Sequence, residues 1–495
     1  MDNIGEKSTL FNRDVSRRAF AGALMMAAPV CSAAGSDWIE LFDGQSMNGW
    51  RPSENKDSWK AVDGTLAADG PRSHLFYVGP VRGADFRNFE LDVELTTKPE
   101  CNSGIYFHTK YQESGFPEKG FEIQINNTAL GDNGYLERKK TASLYGLRNM
   151  YKQLVPDEKP FRVLASVRGK NVQIRLNGQL LVDYVEPTPP VIPAGGEKQR
   201  FLDHGTFALQ CHNNGSRVAY RSVRVRPLPD DLPDYTAAHP MPIADEVFRA
   251  IINIGRHNVP MVDYDVSLRD GMTLEDALRK SRKDGIQYGI TAAGASLKSD
   301  AAAERWLRPL AGRPVFFALS ASDPEWTGRL SQKTAQRFDY ILGDGRIAAN
   351  GSDARSASDP QAFLENLVQQ TVKRLDTEPI DIYTHPTALP AALSPQADEL
   401  WTQARMATLI DALVRNKVAV ELNTVDRMPS QRFIEQAKDA GCKFAFGTGN
   451  TTASQLKRCE YGLQMVESCK LDWHNFFAPG SWWPKAAERR WPSAI

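Results

Sequence analysis

The chain has no surplus of either charge: 60 Lys and Arg stand against 60 Asp and Glu in 495 residues. Without a net field it lacks the attraction that draws nucleic acid or an anionic membrane onto a protein. Cysteine is scarce as well. Apart from Cys31 near the N-terminus, the chain carries Cys101, Cys211, Cys442, Cys459 and Cys469, odd in number and widely spread, with no CxxC among them. That spacing excludes a disulfide framework and a zinc ribbon; one pair at most could form, and burial as small apolar side chains is expected for most of them. The apolar run AGALMMAAPVCSAAG is too short to span a bilayer, so no membrane anchor is expected. What is present is ordinary soluble composition, 41% hydrophobic and 24% charged, with 30 prolines and 36 glycines suited to many turns. The length suffices for two or three domains with their own cores.

Residues 1–36 read as an export signal. Ser16-Arg17-Arg18-Ala19-Phe20 precedes the apolar run, and a small-residue cleavage site follows near Ala34. Paired arginines before Phe fit the twin-arginine type, which exports folded proteins. Val30, just before Cys31, departs from the lipobox and argues against a lipid anchor. A periplasmic or secreted protein is expected.

Residues 37–226 read as all-β. FELDVEL, GIYFH, FEIQI, FRVLASVRG, NVQIRLNGQLLVDY, GTFALQC and RVAYRSVRV alternate apolar and polar positions between turn residues. Such a series predicts a jelly-roll sandwich. Asn177-Gly178 predicts a two-residue hairpin turn. The most informative stretch is NSGIYFHTKYQESGFPEKGFEIQ, from Asn102 to Gln124. Successive strand residues face opposite sides, so Ile105, Phe107, Phe121, Ile123 and Ile125 build one apolar wall. Tyr106, His108, Glu122 and Gln124 fall on the other, and FALQCH adds Gln210 and His212 to it. A carboxylate and imidazoles on one wall suit proton transfer. Glu122, His108 and His212 are the candidate acid/base set, and the same three side chains are candidate ligands for a divalent cation. Tyr106, Gln124, Tyr145, Gln210 and Asn102 are candidate substrate-orienting groups. Against this, Glu122 and Gln124 also fit the wet face of a one-sided antiparallel sheet. His74 and His204 read as turn decoration, and Trp38, Trp50 and Trp59 as packing.

FDGQSMNGW, the W-x-x-x-x-G-T-L segment Trp59 to Leu66, NSGIYF, GFEIQI, TASLYGL (Thr141 to Leu147), LNGQLLVDY and YRSVRV together resemble the 3-keto-disaccharide hydrolase domain. That resemblance implies a concanavalin-like jelly roll, related in shape to laminarinase-type glucanases. It also implies cleavage of an oxidised saccharide by removal of the C2 proton beside a C3 ketone. Where the family commonly has Asp-His-Gly, this chain has Cys211-His212-Asn213. A non-catalytic carbohydrate-binding protein is the alternative, which a cluster of titratable groups does not favour.

Residues 227–242, PLPDDLPDYTAAHPMP, read as a stiff proline-rich linker in which His239 is inert. From 243 to 495 strand and helix patterns alternate, predicting a distorted TIM-like (β/α)7 barrel. In it TLEDALRKSRKDG is a helix capped at Thr273 and Asp276 and stopped at Gly285. DIYTHP, VAVELNT and FGTGNTTASQL resemble the PHP family of metal-dependent phosphoesterases, placing His385 and Glu421 on ligand positions. Asp265-Val266-Ser267, Thr291-Ala292-Ala293 and Gly449-Asn450-Thr451 stand where that family has its other ligands, so a degenerate barrel without phosphoesterase activity is expected. It would hold the jelly roll in a homo-oligomer or add a wall to the sugar site. SWWPKAAERRW packs on the barrel or on a partner.

Overall fold

The computed structural model describes residues 37–131, 135–192, 199–322, 325–349 and 359–492. The export signal read at residues 1–36 lies outside them.

The sandwich strands are β1 (Ile39–Glu40), β2 (Trp50–Pro52), β3 (Trp59–Val62), β4 (Thr65–Ala68), β5 (Ser73–Tyr77), β6 (Phe89–Thr97) and β7 (Asn102–Thr109). They continue with β8 (Phe121–Asn126), β9 (Phe161–Arg168), β10 (Asn171–Leu176), β11 (Gln179–Val185), β12 (Thr206–Cys211) and β13 (Val218–Pro227). One sheet has eight strands, in the order β11-β10-β9-β6-β13-β4-β3 with β1 beside β13; the other has five, in the order β2-β5-β12-β7-β8. The predicted hairpin joins β10 to β11, where Leu176 pairs with Gln179 and Asn177 and Gly178 both take positive φ. Between the sheets lies a core containing Trp50, Trp59, Leu91, Val93, Ile105, Phe107, Phe121, Ile123 and Leu209. Trp50 and Trp59 are therefore packing residues, as expected. The cysteines of the described residues are free and buried.

After β13 no helix or strand is described until α1 (Glu246–Arg256), and the proline-rich segment lies on the sandwich. There Leu228 N–H donates to the Asn88 carbonyl, and the Tyr235 hydroxyl donates to the Glu186 carbonyl at 2.8 Å. α1 belongs to two cores at once. Phe248 and Ile252, four residues apart on one face, join the sandwich core, whereas Ile251 and Ile254 join the next. Burying each of these side chains contributes about 1.5–3 kcal/mol.

Seven parallel strands then close into a barrel in sequence order. They are β14 (Val262–Val266), β15 (Gln287–Ala293), β16 (Val315–Ser320), β17 (Tyr340–Asp344), β18 (Ile382–Thr384), β19 (Ala419–Asn423) and β20 (Phe444–Gly447). The predicted helix is α2 (Leu274–Asp284), with a capping box between Thr273 and Asp276 and Gly285 in the left-handed region at its end. The C-terminal tryptophan segment packs on the barrel: Trp482 Nε1 donates to the Phe476 carbonyl at 2.7 Å, and Trp491 meets Trp326 edge-on at 5.4 Å. Among the described residues no helix is long and apolar enough to cross a membrane.

Candidate functional site

The five-stranded sheet presents its second face to a cavity of about 220 Å³. Asn102, Tyr106, Glu122, Gln124, Tyr145, Gln210 and His212 all line it, together with Phe116, Glu137, Arg200 and Arg256. Register explains the convergence. Tyr106 pairs with Glu122 across β7 and β8, Asn102 with Asn126, and Ala208 of β12 with Tyr106 on the other side. Gly104 lies between Asn102 and Tyr106 on this face. A Cβ there would come within 2.5 Å of Glu122 Oε1, so the carboxylate occupies the space that a missing side chain leaves. The amides are oriented by neighbours: Gln124 Nε2 donates to Asn102 Oδ1 at 2.8 Å, and Gln210 Nε2 to the Tyr106 hydroxyl at 3.0 Å.

A second wall comes from the segment following β8, which runs along that strand as an irregular edge. Gln124 N–H donates to the Ser143 carbonyl and Tyr145 N–H to the Glu122 carbonyl, both at 2.9 Å, which carries Tyr145 over Glu122. The Tyr145 hydroxyl donates to Glu137 Oε2 at 3.2 Å. Lys139, fully buried, lies 3.6 Å from Glu137 Oε1 and 4.6 Å from the centre of the Tyr145 ring. Burial pushes the Lys139 ammonium below its ordinary range, against the pull of Glu137. Burial raises the Tyr145 phenol, and Glu137 adds to the rise.

His108 is not in this cavity. Its φ is 55°, and between β12 and β7 the register slips: Thr206 faces Thr109, yet Ala208, two residues on, faces Tyr106, three residues back. The extra residue is a bulge. It reverses the alternation and turns His108 into the core, where its ring meets Phe89 edge-on at 5.7 Å. Nε2 lies 2.8 Å from the Arg87 carbonyl, and Nδ1 accepts from Asp203 N–H at 3.3 Å. Burial pushes its pKa down to about 4. His108 is thus a neutral core residue, and His108, Glu122 and His212 do not share one cation-sized space. Among the described residues no group of three or more His, Cys, Asp or Glu side chains is arranged to hold a metal ion.

His74 also departs from expectation. Far from decorating a turn, it is in β5, fully buried, with Nε2 3.4 Å from Gln210 Nε2 and its ring 5.5 Å from Tyr106. Burial pushes it down to about 3. His204 is exposed and pairs with Asp85 at 2.7 Å, as a turn residue would. Glu137, Arg200 and Arg256 carried no periodic signal. Glu137 belongs to a charge run that reads as solvated but is buried, and Arg256 ends α1, beyond the sandwich.

A second polar cluster occupies the ends of the barrel strands. His385 Nδ1 lies 3.3 Å from Asp344 Oδ1, and Nε2 lies 3.4 Å from Asp426 Oδ2 and 3.2 Å from Asn423 Nδ2. Glu421 accepts the His385 backbone N–H at 2.9 Å, Asp344 holds Arg346 at 2.9 Å, and Asp265 accepts from Thr291 at 3.0 Å. Burial alone would lower the His385 pKa, but Glu421 and Asp344 outweigh it and hold it up to about 8. A Cβ at Gly449 would come within 2.9 Å of His385 Cε1, so the ring is closely covered.

Residues 37–226 match the family model described as the 3-keto-alpha-glucoside-1,2-lyase-like domain. Among solved structures, the chain is similar to two candidate glycosyl hydrolases from Parabacteroides distasonis. One is 20% identical over 39% of this chain and 94% of its own, with a TM-score of 0.33. The other is 20% identical over 39% of this chain and 99% of its own, with a TM-score of 0.32. A carbohydrate-binding module from Bacillus subtilis is 12% identical, over 35% of this chain and 93% of its own, with a TM-score of 0.23. No curated protein matches the chain.

Proposed function

We propose that the sandwich cavity cleaves 3-keto glycosides. The C3 carbonyl acidifies the C2 proton; Glu122 removes it, and the electron pair forms the C1–C2 double bond as the glycosidic oxygen departs from C1. His212 delivers a proton to that oxygen. Water added across the resulting enone converts elimination into net hydrolysis. Asn102, Tyr106, Gln124 and Gln210 orient the sugar hydroxyls, and Tyr145 closes over the ring. The supporting observation is that the Glu122 carboxylate, seated where Gly104 lacks a side chain, faces amides, a phenol and an imidazole around a sugar-sized cavity that Glu137 also lines. A positioned base of this kind contributes about 10²–10⁴-fold. The family match over 37–226 supports the same chemistry. The barrel, whose likeness to PHP phosphoesterases rests on His385 and Glu421, lacks phosphoesterase activity, and the protein works after export. Turnover of a 3-keto glycoside by wild type and Glu122→Gln tests this: binding retained with cleavage lost supports a base, and unchanged cleavage refutes it.

A further inference from the structure

A cavity of about 220 Å³ suits one sugar ring, so the group attached to that ring must lie largely outside it. A second groove of about 540 Å³ adjoins it, and Arg256 lines both. Tyr135 from the sandwich and Ile254, Val466, Leu471 and Trp473 from the barrel side give this groove a mostly apolar lining. Tyr135 meets Trp473 edge-on at 5.8 Å, so one wall is an aromatic pair built from both domains. Tyr135 also links the two spaces: Lys139 Nζ, beside Tyr145 in the sugar cavity, donates to its hydroxyl at 3.3 Å.

Resting on the functional reading above, we infer that this groove is the leaving-group subsite, and that it takes glycosides whose aglycone is apolar or aromatic. A ring seated among Glu122, Gln124 and Gln210 with its aglycone in this groove would set the departing oxygen at the boundary that Arg256 lines. A guanidinium there faces the oxygen on which negative charge develops. Its place is fixed by the fold. The Gly255 carbonyl, just before it, accepts from Asn149 Nδ2 at 3.2 Å, and Asn258, just after, accepts from Lys139 Nζ at 3.3 Å and donates to the Leu136 carbonyl. Both anchors hold the segment that carries Glu137, Lys139 and Tyr145. The barrel therefore supplies part of the substrate site, and aromatic stacking in the groove is the chemistry that would choose an aglycone.

The test uses the full chain and two substrates, benzyl and methyl 3-keto-glucoside, whose alcohols have similar acidity but different apolar surface. Wild type is expected to show a KM at least about 10-fold lower for the benzyl compound, the change expected for burying several methylene equivalents. Trp473→Ala should erase that preference, raising KM for the benzyl compound about 10-fold more than for the methyl compound, a split that a merely structural role for Trp473 would not give. Arg256→Ala should lower kcat about 10²-fold on both substrates, with Arg256→Lys restoring part of it. Equal KM for the two substrates, or equal losses on both in Trp473→Ala, overturns the inference while leaving the elimination chemistry intact. A wild type that cleaves neither overturns the functional reading and this inference with it.

Discussion

The sandwich cavity and the barrel mouth are built from the same kinds of residue, with opposite results. In the barrel mouth His385 is bracketed by Asp344, Glu421 and Asp426, Arg346 is bound to Asp344, and Gly449 closes over the imidazole. Its opposite charges lie against one another. In the sandwich cavity Glu122, His212 and the amides stand around about 220 Å³ of space, and the absence of a side chain at Gly104 provides the room instead of filling it. A cluster of titratable groups is therefore no guide to chemistry by itself. We read the first arrangement as a structural lock and the second as the site.

The sharpest way to break this comparison is to remove one carboxylate from each region. Glu122→Gln should lower kcat on a 3-keto glycoside about 10³-fold, whereas Glu421→Gln should leave it unchanged; the reverse pattern would move the chemistry to the barrel. Next in size, His385→Ala leaves the buried Glu421 without the imidazole beside it and should cost about 3 kcal/mol in urea unfolding without altering kcat. A loss of turnover with normal stability would contradict the reading of a lock. Gly104→Ala should displace the Glu122 carboxylate and lower kcat about 10²-fold with little change in Tm, and wild-type turnover would show that the carboxylate has room elsewhere.

The smallest effect concerns pH and separates the two kinds of histidine in the sandwich. The folded pKa of His108 is depressed to about 4, so the folded state stays neutral while the unfolded chain takes up a proton below the ordinary value of 6.5. Its contribution to stability is complete above pH 6.5 and is lost as pH falls toward 4, by about 1.4 kcal/mol per pH unit. Unfolding of wild type and His108→Gln at pH 7 and pH 5 should therefore differ in slope by that amount, the variant being the less acid-sensitive. Equal slopes would place a proton on the folded His108. His212→Gln should instead lower turnover.

Strand parity is local, which is why so much of the site could be read from alternation. Tyr106, Glu122, Gln124, Gln210 and His212 share a face because each strand between them is regular. His108 broke the pattern because a bulge depends on how two strands meet, and nothing in NSGIYFHT records the slip against β12. His74 was obscured by the Gly70-Pro71 turn just before β5, although the strand carries it to the floor of the cavity. The run Glu137-Arg138-Lys139-Lys140 looks like a wet loop until the barrel covers it, with Arg138 donating to the Phe476 carbonyl at 2.9 Å. Arg256 lies at the end of a helix shared between two cores, and a neighbour from another domain leaves no period in the sequence. The barrel itself was legible from its β/α rhythm; its place beside the sandwich cavity was not.

The most direct measurement compares cleavage of a 3-keto glycoside with that of its unoxidised parent by the full-length protein. Elimination at Glu122 requires the C3 ketone, so the oxidised glycoside alone should be cleaved, with a primary isotope effect when C2 carries deuterium. Equal cleavage of both, or binding of the oxidised sugar without any turnover, would contradict a base-driven elimination in the sandwich cavity.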